Sequence, residues 1–188
     1  AGIRDVERSR GLGDVYKRQD INLDTLSHAL WGKGLFGYRG HGRLALIIGA
    51  MPDLASFGAL FFIKIITGTL SYSGIPNLES LKQLEPIPQW VYAMDNITHS
   101  FIVSFAIIGI VYALKPKLTW PLLAWPFHIL LDFPFHTKEF FPVQLFWPLT
   151  SLSVDGISWS HPAVWYPNVA GIIMLFIFRY KKNLFNKL

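Results

Sequence analysis

Four apolar runs, each close to the length of a bilayer crossing, constrain this chain more than any other feature. They are Leu44 to Ile66 (LALIIGAMPDLASFGALFFIKII), Ile97 to Leu114 (ITHSFIVSFAIIGIVYAL), Leu118 to Phe135 and Ala163 to Phe178. About 20 residues are needed to cross ~30 Å of hydrocarbon. A fifth stretch, Asp24 to Tyr38 (DTLSHALWGKGLFGY), is apolar enough to be embedded but short for a crossing. The pattern predicts an all-α, multi-pass membrane bundle of four spanning helices plus a short embedded N-terminal helix.

Residues 1 to 19 stand apart from this pattern. SRGLGDVYKRQ, Ser9 to Gln19, resembles the in-frame translation of a transposase-type sequencing-library adapter, and GIRD, Gly2 to Asp5, resembles its flow-cell end. Residues 1 to 19 are therefore expected to be a cloning or assembly scar, with a single integral membrane domain over residues 20 to 188. Five of the 17 Lys/Arg and three of the 12 Asp/Glu lie in that segment, which leaves a net charge of only +3 on the remainder. So weak a balance, without a basic stripe interleaved with aromatics, gives no case for nucleic acid as a partner. The 52% hydrophobic content and mean hydropathy of +0.35 agree with the membrane class. The chain has no cysteine, which removes disulfides, thiolate-bound zinc and thiol catalysis.

Basic residues set the expected orientation. Arg39 and Arg43, then Lys115 and Lys117, then the terminal RYKKNLFNKL lie in turns that the positive-inside rule assigns to the cytoplasm. The segments 68 to 96 and 137 to 162 are poor in basic residues and belong outside. The C-terminus is accordingly expected in the cytoplasm.

Ionisable groups inside such runs are costly, about 2.5 kcal/mol or more near the bilayer centre, and mark functional cavities. Here they are His28, Asp53, His99, His128 and Asp132, with His136 just beyond Pro134. Counted from the basic turns at ~1.5 Å per residue, the first five lie roughly 15 to 24 Å up, in one outer layer. Asp24/His28, Asp95/His99 and His128/Asp132 are spaced i, i+4, on one helical face. Such pairs ligate a metal together, or the carboxylate orients the imidazole. Imidazole with carboxylate suits a divalent Zn, Mn or Fe ion, which would serve a hydrolase. The candidate metal ligands are thus His28, Asp53, His99, His128, Asp132 and His136, with His128 and Asp132 also the candidate catalytic residues. Asp155 lies in an outer segment, and His41 and His161 are expected to be solvated.

A short internal echo relates DTLSHAL, Asp24 to Leu30, to DNITHSF, Asp95 to Phe101. Duplicated hairpins would bring the two sets of acids and histidines together. Trp147, Trp159, Trp165 and Tyr166 form an aromatic belt over the outer segment, read either as anchoring at the headgroup level or as a roof over the site.

The motifs LSHALWG, MPD, THS, HILLD and FWPL...DGISW resemble the bacterial family of LexA-regulated, inner-membrane-associated proteins classed as metal-dependent hydrolases, over nearly all of residues 23 to 160. The resemblance implies that His28, Asp53, His99, His128 and Asp132 occupy the family's metal-site positions. Two positions depart from it: Ala55 where the family often has a second Asp after P-D, and Met94 where it often has a His before T-H-S. The expected function is a membrane-bound metal-dependent hydrolase acting on a phosphoester or a lipid or lipid-linked substrate at the outer leaflet. The alternatives are a non-catalytic metal-binding or structural membrane protein and an ion- or proton-coupled transporter. Against transport, Lys33 alone would supply a polar group in the inner half.

Overall fold

A computed structural model describes residues 21–68, 87–138, 141–159 and 161–185. The proposed scar, and the acidic stretch of the outer loop that follows the first long run, lie outside these residues. Every regular element described is helical: α1 (Ile21–Phe36), α2 (Gly42–Ile66), α3 (Gln89–Thr98), α4 (Phe101–Leu114), α5 (Thr119–Leu122), α6 (Ala124–Asp132) and α7 (Pro162–Phe185).

Among the described residues, two helices are long and apolar enough to cross a membrane: α2, with 25 residues, and α7 over Pro162–Lys182, with 21. A third crossing exists if α3 and α4, bent by 56° at their junction, act as one span. The clean span expected over Ile97 to Leu114 is therefore broken. His99 and Ser100 leave helical geometry, and the extended Ser100 caps α4 by accepting from the Val103 backbone N–H. The span expected over Leu118 to Phe135 is also segmented, into a 3₁₀ turn at Pro116–Leu118, the four-residue α5 and the nine-residue α6. Pro121 and Pro126 lie within it, and each lacks the N–H that a continuous helix would use.

Polarity is sorted inside out. His28, Ser56, Asp95, Thr98, His99, Ser100, Ser104, His128 and Asp132 are buried, while Phe62, Ile66, Leu114 and Met174 are more than 60% exposed. In water this arrangement would bury costly groups and expose apolar ones; in a bilayer the apolar exterior is the solvated one.

Close helix packing brings the interior together. α1 and α2 meet at glycines: a Cβ on Gly49 would lie 2.5 Å from the His28 carbonyl oxygen, and one on Gly32 would lie 2.6 Å from that of Ala45. Trp125, Ile129 and Val143 form the small apolar core, backed by Ile48, Met51, Phe101, Val103, Phe133 and Leu145. Asn168 of α7 ties that helix to α1. It accepts from Trp31 Nε1 at 2.7 Å and donates to Ser27 Oγ at 2.9 Å.

At the other end of α1, the basic turns converge as their sequence positions require. The Arg39 guanidinium lies 4.1 Å from the Trp120 ring, that of Arg179 lies 4.1 Å from the Tyr38 ring, and Arg179 Nε donates to the Gly34 carbonyl at 2.9 Å. The segment after α6 folds back as an irregular strap. Gly156 and Ile157 donate their backbone N–H groups to the His136 and Pro134 carbonyls at 2.8 and 3.0 Å.

Candidate metal centre

Each of the central residues sits at or beside a helix irregularity. Asp53 ends the α-helical first part of α2, immediately before a π-helical turn at Leu54–Gly58. His99 occupies the α3/α4 break, and Asp132 is the last residue of α6, one turn after His128. π-helical turns recur at functional sites because the extra residue re-aims the side chains around it. Here the turn also places Ser56 so that its hydroxyl lies 3.4 Å from an Asp95 carboxylate oxygen.

Asp53, His99, His128 and Asp132 converge, each with one ligand atom, and these atoms all lie within 4.8 Å of one another. His128 Nε2 is 2.8 Å from Asp132 Oδ2 and 3.4 Å from Asp53 Oδ1. His99 Nε2 is 3.2 Å from Asp132 Oδ2, 3.7 Å from Asp53 Oδ1 and 3.1 Å from His128 Nε2.

The protons of both imidazoles can be placed. His128 Nδ1 is 2.7 Å from the Gly49 carbonyl oxygen, which only accepts, so Nδ1 carries the hydrogen. His99 Nδ1 faces the Asp95 backbone carbonyl at 3.0 Å and an Asp95 carboxylate oxygen at 3.2 Å, which commits its hydrogen likewise. The two Nε2 atoms are not both protonated, since two N–H groups would then meet head-on at 3.1 Å. At least one imidazole lone pair therefore lies among the carboxylate oxygens, a donor set that could hold a metal ion.

A divalent ion fits this donor set. Bonds of ~2.0–2.2 Å from nitrogen and oxygen in a tetrahedral site put the ligand atoms about 3.3–3.6 Å apart. Five of the six separations run from 2.8 to 3.7 Å, and all lie within 4.8 Å. Two carboxylates with two neutral imidazoles also balance the charge of such an ion, which matters where uncompensated charge is expensive.

Surrounding groups hold the ligands. Thr25 Oγ1 donates to Asp53 Oδ2 at 2.8 Å, and Trp125 Nε1 donates to the Thr98 carbonyl at 2.6 Å, beside His99. Asp132 Oδ1, the oxygen that faces away from the four-residue centre, has its own neighbours. Trp159 Nε1 donates to it at 3.0 Å, His28 Nε2 lies 2.9 Å away and His136 Nε2 3.7 Å away. The structure therefore brings all six candidate ligands to one place, four on one side of Asp132 and the two histidines His28 and His136 on the other. The side chains of Asp53 and His136 are 15% and 18% exposed, against 2% or less for His28, His99, His128 and Asp132, so the open side lies between them.

The remaining titratable candidates lie elsewhere. Asp155 accepts from the Lys138 backbone N–H at 2.9 Å in the exposed strap, and His161 is exposed at the start of α7. The echo between DTLSHAL and DNITHSF ends in different local structure, because His28 lies within a continuous helix and His99 at a break. Both histidines nonetheless reach the same carboxylate, on opposite oxygens. Two contributions go beyond the sequence reading: Trp159, expected either to anchor or to roof the site, donates directly to Asp132, and Asp95, recognised as the partner of His99, also ties in the π-turn of α2 through Ser56. Comparison with protein-family models, with curated proteins and with solved structures finds no match to this chain.

Proposed function

We propose that the chain is an integral membrane, metal-dependent hydrolase that cleaves a phosphoester in a lipid or lipid-linked substrate. The observation that carries the reading is the convergence of Asp53, His99, His128 and Asp132 with both imidazole Nδ1 hydrogens already committed. Those four residues would hold a divalent ion of the Zn, Mn or Fe class. When bound, the ion supplies Lewis acidity, polarising a phosphoryl oxygen and acidifying water toward neutrality.

The protein's own contribution is orientation and exclusion of water. Gly49 and Asp95 fix the two imidazole tautomers, Thr25 holds the outer oxygen of Asp53, and the Trp159 strap covers Asp132. Substrate approaches past Asp53 and His136, the exposed edge of the cluster. The topology within this proposal counts α2, α3 with α4, α5 with α6, and α7 as four crossings. The basic turns and the C-terminus lie in the cytoplasm of a bacterium, and the centre faces the outer leaflet. Similarity of the His and Asp motifs to the LexA-regulated hydrolase family supports the same reading.

The test is elemental analysis of detergent-purified protein, together with hydrolysis of a generic phosphodiester. Asp132→Asn and His128→Ala should each abolish bound metal and turnover while the protein still inserts, and His161→Ala should retain both. Metal without turnover would make the centre structural, and ion flux in liposomes would make the protein a transporter. A full metal complement in Asp132→Asn would show the centre to be misplaced.

A further inference from the structure

We infer that the centre takes a single divalent ion, and that Trp159 and His28 hold Asp132 so that only one of its oxygens is presented to that ion. The inference rests on the metal-binding part of the proposed function.

The two oxygens of Asp132 see opposite chemistry. Oδ2 faces His128 Nε2 at 2.8 Å and His99 Nε2 at 3.2 Å, two rings whose Nδ1 hydrogens are bound elsewhere. Oδ1 faces Trp159 Nε1 at 3.0 Å, and an indole N–H donates and never ligates. His28 Nε2 lies 2.9 Å from the same oxygen, within ion-pair reach. With the Trp159 indole donating to Oδ1 and the His28 ring packed against it, bridging to a second ion would require expelling the indole. His28 is then a positioning residue for Asp132 and not a ligand.

Trp159 is not there by chance of a loose loop. The strap that carries it is laddered onto the turn after Asp132 through Gly156 to His136 and Ile157 to Pro134. A Cβ on Gly156 would lie 2.1 Å from the Pro134 carbonyl oxygen, so glycine is required for that approach. The indole packs on Phe135, with ring centroids 4.8 Å apart, and meets His28 edge-on at 5.1 Å. The same strap thus fixes both the donor and the turn that holds the ligand.

The experiment is titration of Co²⁺ and Zn²⁺ into metal-stripped protein in detergent, following stoichiometry, affinity and the visible Co²⁺ spectrum. Wild type should bind one equivalent. Trp159→Phe keeps the ring but loses the N–H, and should bind one equivalent about 10- to 100-fold more weakly with a shifted spectrum. Gly156→Ala, which displaces the strap and leaves the indole intact, should weaken binding in the same direction. His28→Gln supplies an amide N–H and should stay close to wild type in affinity and spectrum, whereas His28→Ala should fall with Trp159→Phe. Thermal unfolding of the stripped proteins separates these effects from lost folding. Two equivalents in wild type, or loss of metal from His28→Gln as complete as from Asp132→Asn, would overturn the inference while leaving a metal centre. Absence of any binding by wild type would overturn the underlying reading and this inference with it.

Discussion

Gly49→Ala is the perturbation that most directly couples helix packing to the centre. The added Cβ would lie 2.5 Å from the His28 carbonyl oxygen, 3.2 Å from its carbon and 3.3 Å from the Gly32 Cα. All three are backbone atoms, so no side chain can rotate away. Ordinary contact begins at 3.4 Å, so α1 and α2 must separate by about 0.9 Å at this point. Overpacking of this kind costs about 1–3 kcal/mol. The displacement also exceeds the ~0.5 Å within which a constellation of ligands stays productive. Gly49 carries the carbonyl that orients His128, and its neighbour across the helix contact is the His28 that meets Asp132. Metal affinity should accordingly fall about 10- to 100-fold, the usual consequence of disturbing groups that orient ligands.

The assay is thermal unfolding and metal competition on the same detergent-solubilised protein. Gly109→Ala is the matched control, because a Cβ there meets nothing within 4 Å. It removes a glycine from the interior of α4 and should be neutral or stabilising by about 0.5–1 kcal/mol. The expected result is a lower Tm and weaker metal binding for Gly49→Ala, and neither for Gly109→Ala. Wild-type metal affinity in Gly49→Ala would refute the coupling of this contact to the centre.

Ser100→Ala removes both the cap on α4 and a 2.6 Å bond to the Trp147 carbonyl, and should cost about 1–2 kcal/mol in denaturant unfolding. Asn168→Leu should loosen α7 from α1 by about 0.6–1.7 kcal/mol, read as a lower Tm, with metal affinity unchanged because its partners Trp31 and Ser27 are not ligands. The absence of cysteine permits a clean test of sidedness. Ser153→Cys should react with a membrane-impermeant maleimide in intact cells and Pro116→Cys only after the membrane is broken, and the reverse pattern would invert the proposed orientation.

The chemistry of the centre was legible in the sequence because an ionisable residue in an apolar run is conspicuous, and the i, i+4 spacing of His128 and Asp132 needs only an ordinary helical turn. Their convergence was legible too, since residues counted equally far from the basic turns are expected in one layer, and the structure brings them together. Hydropathy could not show where the helices break. It averages over a window, and in SFIVSFAIIGIVYAL the apolar side chains outweigh the hydroxyl of the leading Ser100, which caps the second helix at the break. The π-helical turn after Asp53 leaves no mark in LASFG, because the extra residue changes direction without changing composition. The sequence left Trp159 between anchor and roof for a related reason: an aromatic residue near a membrane surface has the same composition whether it anchors the chain or donates to a buried carboxylate.

These breaks explain how the centre can exist. Helices pack with their axes 8–10 Å apart, and Asp side chains are short, so turning helix ends inward helps two of them reach both imidazoles at 2.8 to 3.7 Å. Ending the α-helical part of α2 at Asp53, breaking the next span at His99 and stopping α6 at Asp132 turns three helix ends or kinks toward one point. Each break frees backbone groups that hydrocarbon would leave unpaired, so each must be satisfied by protein. The Ser100 cap, the Trp125 bond to Thr98, and the Ser56 bonds to the Pro52 carbonyl and to Asp95 do this at the places where the ligands are aimed. Removing such a bond should therefore weaken metal binding more than deleting an equal apolar contact on the lipid-facing side, where Phe61 and Phe62 lie exposed.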